Sequence, residues 1–391
     1  MDLVRNGRIA TIDGLRGIAI VLVVWFHVWQ ISWQSAVIPF VGISLQPLAE
    51  TGFMGVALFF FISGFVLAVP YAQARFVGGA PPTVRHFFTR RFLKIVPSYV
   101  LCIAVLVAVG YQTYPNLAAG VRDVVYHLLF VHDWFAISYQ SIDGVMWSLG
   151  DEIQFYVLFP FLIVAFARRP LTVAAAMVAV ANGWRIWCRF SDQYYVEQKL
   201  AALPGYLDAF ALGMLCAWCY VAIATHRPHW ASRRLLFSAL MLAGVAAYCA
   251  LANDCYERRF VDGWPHLWDV EWRTACAAAF FCTALGSLFA LRPLQLALAN
   301  PALLLMAAIS YNLYLWHQPI ARALVTYRIP PFAGSDQHAD PHWMLLFPFV
   351  AVPAGIAVAT VITFAFERPI LRMRRCRRAP PVEAAPVAAN G

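Results

Sequence analysis

Charge is what this sequence has least of. Asp, Glu, Lys and Arg together supply 13% of its residues, against 62% hydrophobic and 15% aromatic. A soluble domain carries about a quarter charged residues, so the scarcity excludes that class and indicates a polytopic integral membrane protein. Long polar stretches are missing as well. The longest connections between apolar runs, 112–144 and 254–271, are too short and too rich in turn and charged residues to build a core of their own. The nine cysteines are scattered, at 102, 188, 216, 219, 249, 255, 276, 282 and 376, and imply no disulfide framework; Cys188 and Cys255 are the one pair that could meet outside the membrane. Cys216 and Cys219 form a CxxC on an apolar helix with no second pair nearby, where small hydrophobic packing fits better than a metal. No internal repeat is visible, which weakens an inverted-repeat transporter.

What the sequence does have is apolar runs of about 20 residues, each long enough to cross a bilayer. They predict an all-α transmembrane bundle with ten spans, at 13–34, 52–72, 92–111, 145–166, 171–188, 203–224, 235–253, 272–291, 301–325 and 343–366. The stretch 121–137 is shorter and broken by Arg122, Asp123, His127, His132 and Asp133, so it reads as an interfacial or re-entrant segment. Lys and Arg concentrate in the connections on the N-terminal side, including Arg5, Arg8, Arg75, Arg85, Arg168, Arg169, Arg233, Arg234 and Arg292; Arg122, Lys199 and Arg258 are among the few opposite. The positive-inside bias therefore puts the N-terminus in the cytoplasm, and an even span number with a basic tail puts the C-terminus there too. The net charge of +9 is thereby accounted for by topology and anionic lipid, with no case for nucleic acid. Arg5 and Arg8 ahead of an apolar core resemble a signal peptide, but the core is long and carries Arg16 and His27, so an uncleaved first span is expected. One transmembrane domain, 1–371, and a basic, then Pro/Ala-rich disordered tail, 372–391, complete the organisation.

Ionisable groups are costly in hydrocarbon, so those inside the spans carry the functional signal. In DGLRGIAIVLVVWFHVWQ, Arg16 and His27 are separated by about three turns plus 20°, which puts both on one helix face ~16 Å apart along the axis. A substrate path or reaction centre fits this pair; so does an Arg16 snorkelling to headgroups beside a His27 hydrogen-bonded in the bundle. In GVALFFFISGF, Ser63 and Gly64 sit mid-span, where small residues let helices approach. Arg90, Arg91 and Lys94 cluster ahead of the third span, whose first turns Pro97 should disturb; ordinary positive-inside charge and a phosphate clamp of guanidinium forks are both open.

WSLGDEIQFY sets Ser148, Glu152 and Tyr156 in one helical stripe. Glu152 needs a partner there, either a histidine that it orients as a base or Arg185 or Arg273 in a structural ion pair. SYNLYLWHQP brings Ser310, Tyr314 and His317 to one face, with Pro319 disturbing the helix where His317 projects; an aromatic belt with a solvated histidine is the alternative. Glu367, Arg368 and Pro369 close the last span, where Glu-Arg serves at least as a helix cap.

Taken in order, Arg16-x10-His27, GVALFFFISGF, Arg90-Arg91 before Pro97, WSLGDEIQFY, SYNLYLWHQP and Phe366-Glu367-Arg368-Pro369 resemble the signature series of the acyltransferase family 3 membrane proteins, from Asp13 to Pro369. The resemblance implies a helix bundle that takes an acyl group, usually acetyl, from cytoplasmic acyl-CoA and places it on a hydroxyl of a sugar or other acceptor, often extracytoplasmic. It implies that Arg16 and His27 form the functional core, that Arg90 and Arg91 handle the donor, and that Glu152 stands at the WSLxxE glutamate. Lys94 departs from the usual arginine, keeping the charge but losing the fork. Many relatives carry a fused C-terminal hydrolase-like domain, so any onward transfer here is expected either to need a periplasmic partner protein or not to occur.

Moving an acetyl group from a thioester to an alcohol needs a base, a stabiliser for the tetrahedral oxyanion and a dry site. The expected assignment is His27, Arg16 and Glu152 as catalytic residues, Arg90, Arg91, Lys94 and Ser63 on the donor, and His317, Ser148 and Tyr314 on the acceptor or as a proton relay. His27 either deprotonates the acceptor or carries the acyl group itself. Acyl-CoA, most simply acetyl-CoA, enters as co-substrate, with no permanently bound cofactor or metal expected. The expected partners are a carbohydrate or lipid-linked glycan and membrane lipids, and the Ala- and Arg-rich usage suggests a bacterial inner membrane. The rival is a transporter or flippase of a lipid-linked sugar, since buried Arg, His and Glu also line polar pathways.

Overall fold

The computed structural model describes residues 4–5, 8–35, 44–191, 196–258 and 267–376. A small antiparallel pairing of β1 (Val4–Arg5) with β2 (Arg8–Ile9) leads into an otherwise helical chain. The helices are α1 (Ala10–Ser32), α2 (Gln46–Glu50), α3 (Gly55–Phe76), α4 (Val84–Ala108), α5 (Leu117–Leu128), α6 (Trp147–Arg168), α7 (Pro170–Arg189) and α8 (Val196–Ala201). They continue as α9 (Leu207–His226), α10 (Pro228–Ala231), α11 (Arg234–Arg258), α12 (Leu267–Phe289), α13 (Arg292–Leu298), α14 (Pro301–Thr326) and α15 (Pro341–Val361), which passes through a π-helical turn, Ile362–Glu367, into α16 (Arg368–Cys376). The boundary expected at 371 thus falls inside a helix, and residues 377–391, with the expected Pro/Ala-rich tail, lie outside the described residues.

A long helix stands at each of the ten expected positions. Among the described residues nine are long and apolar enough to cross a membrane; α14 joins them only together with α13, from which it is bent by 41°. The reason is its own chemistry: Ser310, Asn312, His317 and Gln318 dilute the apolar run. Helix starts follow the capping residues. Asn300 accepts from the Leu303 amide at 2.9 Å ahead of Pro301, and Asp340 accepts from the His342 amide at 2.9 Å ahead of Pro341; each proline loses no helical bond in a first turn.

Three local expectations change. Thr83 caps α4 by accepting from the His86 amide, so the helix begins at Val84 and carries Arg90, Arg91 and Lys94 on its own surface instead of meeting them beforehand. Pro97 lies within unbroken α4 and Pro319 within unbroken α14. Pro319 has no N–H for the Leu315 carbonyl, and the Cys102 thiol of α4 donates to it at 3.6 Å instead. The short polar stretch begins earlier than expected, as α5 from Leu117, and ends in a 3-10 turn, His132–Trp134. Leu117, Val121 and Val125 are exposed on α5 while Asp123 and His127 are buried, the inverse of a helix on a soluble protein. Cys188 and Cys255 are both buried and are not joined to one another, which removes the one disulfide considered.

Close helix contacts rest on missing side chains. A Cβ on Gly14 would stand 2.1 Å from the Leu298 carbonyl oxygen, and one on Gly17 would stand 2.3 Å from that of Leu303. α1 therefore lies backbone to backbone along α13 and α14, and runs parallel to α14. In the same way Gly64 meets the Phe210 carbonyl and Gly213 the Phe61 carbonyl, with 2.0 Å available at Gly213. Helices α3 and α9 are thereby locked together, and the small residues of GVALFFFISGF serve packing at Gly64. Gly213→Val should push these helices apart and cost about 3 kcal/mol or more, seen as loss of the monodisperse peak in detergent. Gly183→Val, where nothing lies within 4 Å, should elute like the parent.

Candidate active site

The parallel course of α1 and α14 brings His27 and His317 together. Nε2 of His317 lies 3.0 Å from Nδ1 of His27, with ring centroids 4.9 Å apart. The other contacts of each ring decide where the protons sit. Nδ1 of His317 faces the carbonyls of Tyr314 at 2.8 Å and Leu313 at 3.0 Å, which only accept, so it carries hydrogen. Nδ1 of His27 faces the Val23 carbonyl at 2.9 Å and carries hydrogen for the same reason. That hydrogen is shared with the lone pair on Nε2 of His317, leaving Nε2 of His27 as a bare lone pair with no protein partner among the described residues. Such an arrangement orients an imidazole for base chemistry. His317 is 3% exposed, whereas His27 is half-buried. Arg16 sits on the same face of α1, paired with Asp13 at 3.5 Å.

Glu152 hydrogen-bonds to neither histidine. Its Oε1 accepts from Ser63 Oγ at 2.6 Å and from the Tyr156 hydroxyl, and the Arg91 guanidinium stacks 5.4 Å over the Tyr156 ring. The expected orienting carboxylate thus belongs with two residues expected on the donor, and the orienting of His27 falls to His317. The two arginines considered as partners of Glu152 are engaged elsewhere: Arg185 with Asp208 at 2.7 Å and Arg273 with Asp269 at 3.3 Å.

Lys94 also departs from its expected place. Its ammonium donates to Glu367 and lies 5.6 Å over the Tyr311 ring. Asn312 donates to the other Glu367 oxygen and to Thr363, each at 2.9 Å. Glu367 is therefore a buried tie between α4, α14 and the π-helical turn, not a helix cap, and Lys94 is one of its partners. Arg90 is exposed on α4.

Above the histidines, Ser148 Oγ and the Tyr314 hydroxyl are 2.6 Å apart, and both reach the Val145 carbonyl. The Tyr314 ring lies 6.0 Å from that of His317, so all three residues expected on the acceptor or relay are neighbours. The residue ahead of this loop carbonyl was not anticipated. Asp143, between α5 and α6, is 2% exposed; burial pushes its carboxyl up to about 8, opposed by Arg322 and by the amides of Val145 and Gly144. An acid next to a glycine in DGV gave no sign of this, because its burial depends on how the loop folds over α14.

Residues 9–368 match the family described as an acyltransferase domain. The chain is 25% identical over 336 residues to an O-acetyltransferase, OatA, of Staphylococcus aureus, covering 79% of this chain and 50% of that protein. It is 26% identical over 171 residues to the peptidoglycan O-acetyltransferase OatA of Listeria monocytogenes, covering 41% and 25%. It is also 24% identical over 391 residues to nodulation protein 10 of Rhizobium leguminosarum bv. viciae, covering 94% and 95%. The chain spans about half the length of the staphylococcal relative. No solved structure matches.

Asp143 makes stability depend on pH. Unfolded, its carboxyl ionises near ~4; folded, it holds its proton to about 8. The folded state thus binds the extra proton between these values, and stability falls as pH rises through that window. Asp143→Asn should unfold with the parent near pH 4 and at a progressively higher temperature than the parent towards pH 8, measured by thermal unfolding in detergent.

Proposed function

The chain belongs to the acyltransferase-domain family that residues 9–368 match, and we propose that it is a membrane O-acyltransferase. In this reading it moves an acyl group, most simply acetyl, from cytoplasmic acyl-CoA to a hydroxyl of a carbohydrate or other cell-surface acceptor, peptidoglycan and lipopolysaccharide included. The single observation that carries it is the 3.0 Å contact of His317 Nε2 with His27 Nδ1, which leaves His27 Nε2 a base. Both termini lie in the cytoplasm of a bacterial inner membrane, as the distribution of Lys and Arg supports.

Acyl-CoA enters from the end that carries Arg16, Arg90 and Arg91, where guanidinium forks suit its phosphates. Its pantetheine arm runs along the face of α1 that Arg16 and His27 share, an interval of ~16 Å. The acceptor arrives from the opposite end, where Ser148 and Tyr314 stand. His27 Nε2 takes the hydroxyl proton as the acceptor oxygen attacks the thioester carbon. The imidazolium is held by the lone pair of His317. Collapse of the tetrahedral intermediate breaks the C–S bond, and the proton passes from His27 to the departing CoA thiolate, so ester and free CoA are the products. In the covalent alternative His27 Nε2 attacks the thioester carbon and expels the CoA thiolate, and the acceptor hydroxyl then displaces the imidazole from the acyl group, its proton passing to the freed Nε2 and on to the thiolate.

His27→Ala should lower CoA release from acetyl-CoA by at least ~10²-fold, and Arg16→Ala should raise the KM for acetyl-CoA. Purified full chain with a thiol reagent reads both, and wild-type kinetics in either variant removes that residue from the mechanism. A flippase would leave the thioester intact in every variant. His317→Phe, which keeps a ring but no lone pair, should lower turnover by roughly tenfold or more with the KM for acetyl-CoA unchanged.

A further inference from the structure

A narrow crevice outside the donor path is lined by Phe53, Ala57, Tyr206, Asp269, Arg273 and Cys276, among others. Its walls come from the segment leading into α3, the turn before α9 and the first turns of α12. The Arg273 guanidinium lies 4.2 Å over the Tyr206 ring, donates to the Leu200 carbonyl at 2.8 Å and pairs with Asp269 at 3.3 Å. Tyr206 is 7% exposed, yet its hydroxyl makes no hydrogen bond among the described residues. A deeply set phenol normally finds a partner, and a hydroxyl left open in a crevice beside a carboxylate and a guanidinium is a place for another hydroxyl.

The crevice is tied to the histidines by a chain of ring contacts. Phe53 lies 5.5 Å from Phe26, which lies 5.0 Å from His27. On the other side Tyr206 lies 4.9 Å from Phe60 and 5.7 Å from Trp147, the residue before Ser148. Phe53 therefore begins an aromatic wall that ends at His27. The crevice lies at the end of the bundle where α1 finishes and α3, α9 and α12 begin, opposite the basic end of α4.

We propose that this crevice is an acceptor subsite that grips the hydroxyl-bearing edge of a pyranose ring. Resting on the acyltransferase reading, the assignment makes the acceptor a carbohydrate and not an alcohol of another class. A sugar offers an apolar C–H face and a rim of hydroxyls, which match the rings of Tyr206 and Phe53 and the polar trio of the Tyr206 hydroxyl, Asp269 and Arg273. A few placed polar groups in an aromatic pocket fix orientation in this way. The slot has room for a single hydroxyl, so the sugar ring itself lies over its mouth, against Phe53, and turns another hydroxyl towards His27.

Cells expressing the full chain, Tyr206→Phe, Asp269→Asn or His27→Ala are compared by mass spectrometry of O-acetyl groups on envelope carbohydrate. The KM for acetyl-CoA is measured on each purified protein. Tyr206→Phe keeps the ring and loses only the hydroxyl; it should lower acetylation at least fivefold with the KM for acetyl-CoA within twofold of the parent, and Asp269→Asn should fall in the same direction. Parental acetylation in Tyr206→Phe overturns the subsite while leaving the acyltransferase reading standing. An O-acetyl level no higher with the full chain than with His27→Ala overturns the acyltransferase reading and the subsite with it.

Discussion

The hydrogen bond between two imidazoles is the interaction on which the proposed chemistry depends, and it exists because two helices lie without side chains between them. Gly14 and Gly17 let α1 rest on the backbone of α13 and α14, and that contact sets the depth at which His27 meets His317. A residue with a Cβ at either glycine would move α1 outward, and the shared hydrogen at 3.0 Å would be lost. Packing and protonation are thus one problem: the carbonyls of Val23, Leu313 and Tyr314 fix the tautomers only while the helices stay in register.

Around this centre the buried polar groups follow one rule. In hydrocarbon a polar side chain needs a partner, and here the partners come mostly from other helices. Ser63 and Glu152 join α3 to α6, Arg185 and Asp208 join α7 to α9, and Lys94, Asn312 and Glu367 join α4 and α14 to the π-helical turn. Removing one member of such a buried pair leaves the other charge uncompensated, so these residues hold the bundle whether or not they touch a substrate.

Much of the fold was legible because hydrophobic length is a local property. Apolar runs located all ten long helices, and helical spacing set Ser148 and Glu152 on one stripe of α6 and Tyr314 and His317 on one face of α14. Helix-to-helix pairing was not local. Glu367 and Lys94 are separated by 273 residues, and nothing between them announces their contact. The His27–His317 pair did leave a signal: each lies ~25 Å into its helix from the starts at Ala10 and Pro301, so two parallel spans would bring them level. Glu152 is partnered by Tyr156, one turn along the same stripe, and by Ser63, in place of the distant histidines and arginines that its charge suggests. The length of α4 was missed because the hydropathy of HFFTRRFLK is low, while its helix is fixed by the Thr83 cap and by contacts with α14.

Helix α4 is fastened to α14 at two levels. The Tyr311 hydroxyl donates to the Ile95 carbonyl at 2.7 Å, and the Cys102 thiol fills the carbonyl of Leu315 that Pro319 cannot serve. The arginines at one end of α4 and the imidazole two residues beyond Leu315 are consequently mounted on a single lever. Because both ties hold, a tilt of α4 would have to carry α14, and the His317 ring on it, along with it.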